Sequence, residues 1–147
     1  MTASGGDYDT DVLLWSEHQA DLLRRRAAGE LVNEAELDWS NIAEEVESVG
    51  RSQLSTVQSL LRQALIHMLK AEAWPLSREV PHWRAEIRRF LDDAAEAFTP
   101  SMRQRINVAR LYAQALRATP ETIDGQSPLP MPEVCTVTLD ELLSDDP

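Results

Sequence analysis

The stretch RSQLSTVQSLLRQALIHMLKAEA, Arg51–Ala73, decides the fold class. Leu54, Val57, Leu61, Ala64, Leu65 and Met68 recur at helical spacing and define one face. Ile66 and Leu69 add apolar surface on other sides, so much of the girth is apolar, as in a central helix. Pro75 ends it.

Upstream, a second segment takes Asp38 as N-cap and carries Trp39, Ile42, Val46 and Val49 as an apolar stripe expected to be buried. Gly50 closes it, and Asn33 with Glu36 offers an alternative start. The first helix runs from about Asp9 to Ala28, with Val12, Trp15 and Leu22 inward. Arg24, Arg25 and Arg26 complement its C-terminal dipole, and Gly29 follows as C′ residue. Downstream, a helix starts near Pro81 with Trp83, Ile87, Phe90, Ala94 and Phe98 as its stripe. Another starts at Thr99-Pro100, turns Met102, Ile106, Ala109, Ala113 and Leu116 inward, and stops at Pro120.

From Thr119 the chain is rich in proline and acid, which predicts a docked, extended strap. It closes in TLDELL, where Thr138 and Glu141 form a capping box. The expectation is therefore an all-α protein, a compact bundle of about five helices with an extended C-terminal strap ending in a short helical turn. Residues 1–8 are expected to be flexible, 9–118 to form the helical core and 119–147 the strap of one domain. No internal repeat and no long heptad array interrupts this pattern.

Composition agrees. The chain has 147 residues, five glycines and two phenylalanines, with Ala, Leu, Glu and Arg dominant, a mixture that favours helix over strand. Cys135 stands alone and forms no disulfide within the chain, which points to a reducing cytoplasm. The acidic start MTASGGDYDTD lacks the basic and apolar regions of a secretory signal, and no apolar run reaches the roughly 20 residues of a membrane span. The net charge of −11 is unevenly spread: −9 over residues 1–50, +5 over 51–119 and −7 over 120–147. Thirteen of the 14 bases are arginine. An overall acidic molecule repels polyanions at long range, so nucleic acid ranks below a protein partner or a second copy of the chain.

The residues that could carry chemistry are few. Glu44, Glu45 and Glu47 look like a cluster, yet Glu45 and Glu47 point about 160° apart on a helix. Glu44 faces water, whereas Glu45 borders the stripe, where a partner can reach it. His67, on a flank of the central helix, is the histidine to watch; paired with Glu45 or Glu47 across two helices it would form an acid–base unit. His18 should be partly buried, and His82 with Glu86 makes an exposed i,i+4 pair. No His-Glu-x-x-His, Cys-x-x-Cys, Gly-x-Ser-x-Gly or phosphate loop is present, and no cofactor, metal or catalytic residue is expected. Arg103, Asn107, Arg110, Gln114 and Arg117 recur along the fifth helix as an anion-binding stripe, extended by Arg88 and Arg89.

YDTDVLLWSEHQADLLRRR, LDWSNIAEEVESVGRSQ, LLRQALIHMLK and HWRAEIRR follow one another as in a bacterial family, and the chain resembles domain of unknown function 29 from Tyr8 to Leu143. The resemblance implies an all-helical cytoplasmic bacterial protein and carries no reaction with it. It singles out Glu45, Glu47, Gly50, Lys70, Trp83 and Arg84; of these Glu45, Glu47, Lys70, Trp83 and Arg84, with His67, make a candidate polar cluster. TLDELL also resembles the family's closing element, with Val137 where the family pattern implies an aromatic residue. The function expected is a non-catalytic interaction or scaffolding module, with nucleic-acid binding through the arginine stripe and an acid–base or metal site at His67 as alternatives.

Overall fold

The computed structural model describes residues 7–144, so most of the start expected to be flexible, residues 1–6, lies outside the described residues. Those described residues are all-α, with five α-helices: α1 Val12–Ala27, α2 Trp39–Ala73, α3 Val80–Ala97, α4 Val108–Ala118 and α5 Leu139–Leu143. The chain divides into two compact units, Met1–Gly50 and Arg51–Pro147.

In the first unit, Asp11 caps α1 by accepting from the Leu14 amide. Gly29, with φ of 87°, ends it, and the amides of Gly29 and Glu30 bond back to the carbonyls of Arg26 and Arg25. That is a Schellman closure, which a residue without Cβ adopts without steric cost. The start of α2 is clamped by buried Gln19. Its Nε2 donates to the Glu36 carbonyl at 3.0 Å, and its Oε1 accepts from the Asp38 amide at 2.9 Å. Asp38 in turn accepts from the buried Trp15 indole at 3.0 Å and from the Asn41 side chain at 2.8 Å.

Two expectations fail in this unit. Trp39–Ala73 is one helix of 35 residues, not two. Gly50 lies in its interior with no positive φ, and open space surrounds the position a Cβ would take. The face of α2 that meets α1 is also the polar one: Asp38, Asn41, Glu45 and Ser48, held by Tyr8 and Trp15. The apolar stripe is one residue out of step, turned about 100° from that face. Trp39, Val46 and Val49 are 48%, 69% and 64% exposed, and Val12 on α1 is exposed as well.

The second unit is built on the rest of α2, whose expected face holds. Val57, Leu61, Ala64, Leu65, Ile66 and Leu69 are buried against Ala94 of α3, Met102, Ile106 and α4. Trp83 and Val80 of α3 close a second cluster with Ala73 and Trp74. The segment expected to be a fifth helix from Thr99 instead makes a 3-10 turn at Pro100–Met102 and re-enters helix only at Val108, with Asn107 as N-cap. The later start changes the phase: Leu111, Tyr112 and Ala115 are buried, and Ala109 and Ala113 are exposed.

The strap docks on this same unit. An Asp124-Gly125 turn, both residues at positive φ, brings the Gln126 carbonyl to the Trp74 indole at 2.8 Å, and the Leu129 amide bonds Ala73. Tyr112 donates to the Pro132 carbonyl, and Cys135 to that of Val137. Thr138 caps α5, which packs on α3 and buries Leu142 in the core.

Candidate anion-binding site

The polar positions fall into separate environments. Glu45 is half-buried and accepts from the Tyr8 hydroxyl at 2.5 Å and from Ser48. Tyr8 is the partner that the border position of Glu45 called for, but the sequence did not name it. Glu44 and Glu47 are exposed, and each has an interaction of its own. His67 sits 22 positions beyond Glu45 on the same unbroken helix, where surface neighbours are three or four positions apart. The acid–base pairing across two helices therefore has no second helix to come from. Instead His67 Nδ1 lies 2.8 Å from the Gln63 carbonyl, and the ring stacks obliquely on Phe90.

Lys70 lies over the Trp83 ring at 6.0 Å, and Arg84 is exposed. The partner of Glu86 is Arg89, at 2.6 Å, rather than His82. That bond holds the Glu86 carboxyl below its usual range, with a smaller contribution from the histidines. Among the described residues no group of three or more His, Cys, Asp or Glu side chains is arranged to hold a metal ion.

Hydrogen bonding to Glu45, with burial and the carboxylate charge adding to it, pushes the Tyr8 hydroxyl from 10.0 up to about 12. Burial raises Tyr112 as well. Tyr8 binds its proton more tightly folded than unfolded, so its contribution is complete below pH 10 and is lost as pH rises through about 12. A spectrophotometric titration should show both tyrosines with midpoints above 10, and Glu45→Gln should return one of the two toward 10. Superimposable curves for the two proteins would refute the coupling.

The stripe expected along one helix is divided by the late start of α4. Arg103 precedes that helix and is paired with Asp140 at 2.5 Å, beneath Phe98. Asn107 spends its side-chain oxygen capping the Arg110 amide at 3.1 Å. Arg110 and Gln114 do remain together, and α2 brings Gln58 and Arg62 to meet them. Along with Arg105, these side chains line a cavity of about 180 Å³. Arg62 donates to Gln114 at 3.3 Å, and Gln58 to the Arg105 carbonyl at 3.5 Å, so neutral amides hold the cleft's shape.

Among the described residues no carboxylate lines the cleft, and none forms an ion pair with Arg62, Arg105 or Arg110. The start of α4 adds the positive end of a helix dipole. Arg62 and Arg105 were missed because one comes from α2 and the other from a loop. The visible signal was Gln58 and Arg62 at i,i+4, pointing away from the apolar face. A larger hollow of about 920 Å³ opens beside Trp74, Leu76 and Ile123, but its charged residues, Arg78, Glu79 and Asp124, are of mixed sign.

The profile of a family described as domain of unknown function DUF29 matches residues 8–146. The chain belongs to this family. The DUF29 chain is also similar to a solved α-helical protein of unknown function from Rhodospirillum rubrum, with a TM-score of 0.65 and 25% identity over 96% of this chain and 91% of that one. No curated protein sequence matches this DUF29 member. Within the DUF29 match fall both the cleft and the capped start of α2. No described helix of this DUF29 chain is long and apolar enough to cross a membrane.

Proposed function

We propose that this protein is a non-catalytic binding module of the bacterial cytoplasm whose cleft takes a phosphate-type oxyanion. The observation that carries the reading is the convergence of Arg62, Arg105 and Arg110 on one cavity with no acid among the described residues that line it. Guanidinium forks match the oxygens of a phosphate in geometry and charge. The cavity suits a single phosphoryl group better than a nucleic-acid backbone, because the chain's net charge of −11 opposes a polyanion at long range.

Calorimetric titration with phosphoserine and with pyrophosphate tests the reading, with glutamate as a carboxylate control. Each charge-assisted hydrogen bond is worth about 1.5–3 kcal/mol, so Arg62→Gln with Arg110→Gln should weaken binding by tenfold or more. Equal affinity in the double variant would overturn the proposal. Binding of single-stranded DNA in preference to either phosphate probe, falling steeply with salt, would replace it with the nucleic-acid reading.

A further inference from the structure

The first unit leaves an apolar stripe of four residues largely uncovered, with only Ile42 half-buried. Trp39, Ile42, Val46 and Val49 are spaced by three, four and three residues, the spacing of a short helix-packing seam. The face that contacts α1 is the neighbouring polar one, and Val46 and Val49 are among the most exposed large apolar side chains of the fold. Water around such a stripe favours a partner that covers it.

Charge selects which partner. Residues 1–50 hold 12 acids and three bases. All three bases sit in the last turn of α1, where Arg25 pairs with Asp21 and Glu30, and Arg26 with Glu34. From Ala27 to Gly50 there is no base, and Arg51, just past the seam, is the first. A second copy would lay acid against acid along this seam. From the exposed stripe and its acidic field, we infer that α2 between Trp39 and Val49 docks an amphipathic helix of a partner protein, apolar on one face and flanked by lysine or arginine.

The probe is a synthetic helical peptide with leucine at seam positions and lysine on both flanks, compared with the same peptide flanked by glutamate. Trp39 is half exposed and reports its arrival by fluorescence. The lysine peptide should bind at least tenfold more tightly than its glutamate counterpart. Val46→Ser with Val49→Ser, surface changes that leave the helix intact by circular dichroism, should weaken it by tenfold or more. Equal binding of both peptides, or no loss in the serine pair, overturns the inference. So does sedimentation showing a dimer that the serine pair abolishes, which would make a second copy the occupant. Arg62→Gln with Arg110→Gln should leave peptide binding unchanged, so this test and that of the oxyanion cleft fail separately.

Discussion

Replacing Trp83 with alanine is expected to cost about 3–5 kcal/mol of unfolding free energy. The indole is 6% exposed and packs with Ala73, Trp74 and Val80, with Ala71, Ile123 and Met131 at the margin. Truncation leaves a cavity beneath the end of α2, and the Leu129 and Gln126 hydrogen bonds of the strap lie at that same end. Trp83→Phe should recover part of the loss, as it keeps a ring in the site. Lys70, half-buried 6.0 Å above the ring, adds about 0.5–2 kcal/mol through a cation–π contact, so Lys70→Met should cost less than Trp83→Ala. Denaturant unfolding followed by circular dichroism measures all three. A near-neutral Trp83→Ala accompanied by lost binding would mean that this residue reads a ligand instead of holding the core.

Asp38→Ala should be the next most damaging change, at about 2–4 kcal/mol. Loss of an N-cap accounts for about 1 kcal/mol, and a buried donor left without its acceptor for about 1–3 more. That donor is the Trp15 indole, which is 5% exposed. Asp38→Asn should be far milder, since asparagine caps equally well and still offers an oxygen. The Asn41 side chain, with help from Trp15, holds the Asp38 carboxyl below its ordinary value of 3.8. Its contribution is therefore complete above pH 3.8 and is lost as the pH falls through the lower folded value. Equal melting of Asp38→Ala and Asp38→Asn at neutral pH would refute the cap.

Both residues were visible in the sequence, and the reasons differ. Asp38 stands before a helical pattern as an acceptor, a local signal that needs no knowledge of the fold. Trp83 belongs to a stripe with Ile87, Phe90 and Ala94; on α3 Trp83 and Ala94 are buried in the core, while Ile87 and Phe90 are half-buried. On the first part of α2 an equally regular stripe stays largely exposed. Periodicity says which residues share a face, whereas a neighbour decides which face is covered. Here the neighbour is α1, whose Tyr8 end and Trp15 offer an O–H and an N–H donor, so the acceptor-bearing face of α2 is drawn to it.

Gly50 misled for a related reason. Glycine ends helices by entering positive φ, as Gly29 does, but nothing in its identity forces that. Inside a long helix it costs only about 1 kcal/mol relative to alanine, which the helix on either side can absorb. The start of α4 was lost because Thr-Pro begins a 3-10 turn as readily as an α-helix, and Asn107 supplies the later cap. That error spread to the arginine stripe, since a helix begun at Val108 rather than Thr99 puts Arg103 elsewhere. Arg110 and Gln114 were legible as a pair. The cleft was not, because its other walls arrive from positions 58, 62 and 105 by tertiary packing.

The docked strap also has a consequence for biosynthesis. Val57, Leu61 and Leu65 share their core with Leu142, and Asp140 reaches back to Arg103. At about 5–20 residues per second, the roughly 80 positions from Leu61 to Leu142 take about 4–16 s to translate. Throughout that interval the nascent chain shows the ribosome's surroundings an unfinished hydrophobic face. The contacts that set Tyr8, Trp15 and Gln19 against the start of α2 need no residue beyond Ser48. Protection at the α1–α2 hairpin is therefore expected in a nascent chain stalled far enough beyond Gly50 for that residue to have cleared the ribosome, while chaperone demand peaks later and ends only when Leu142 emerges.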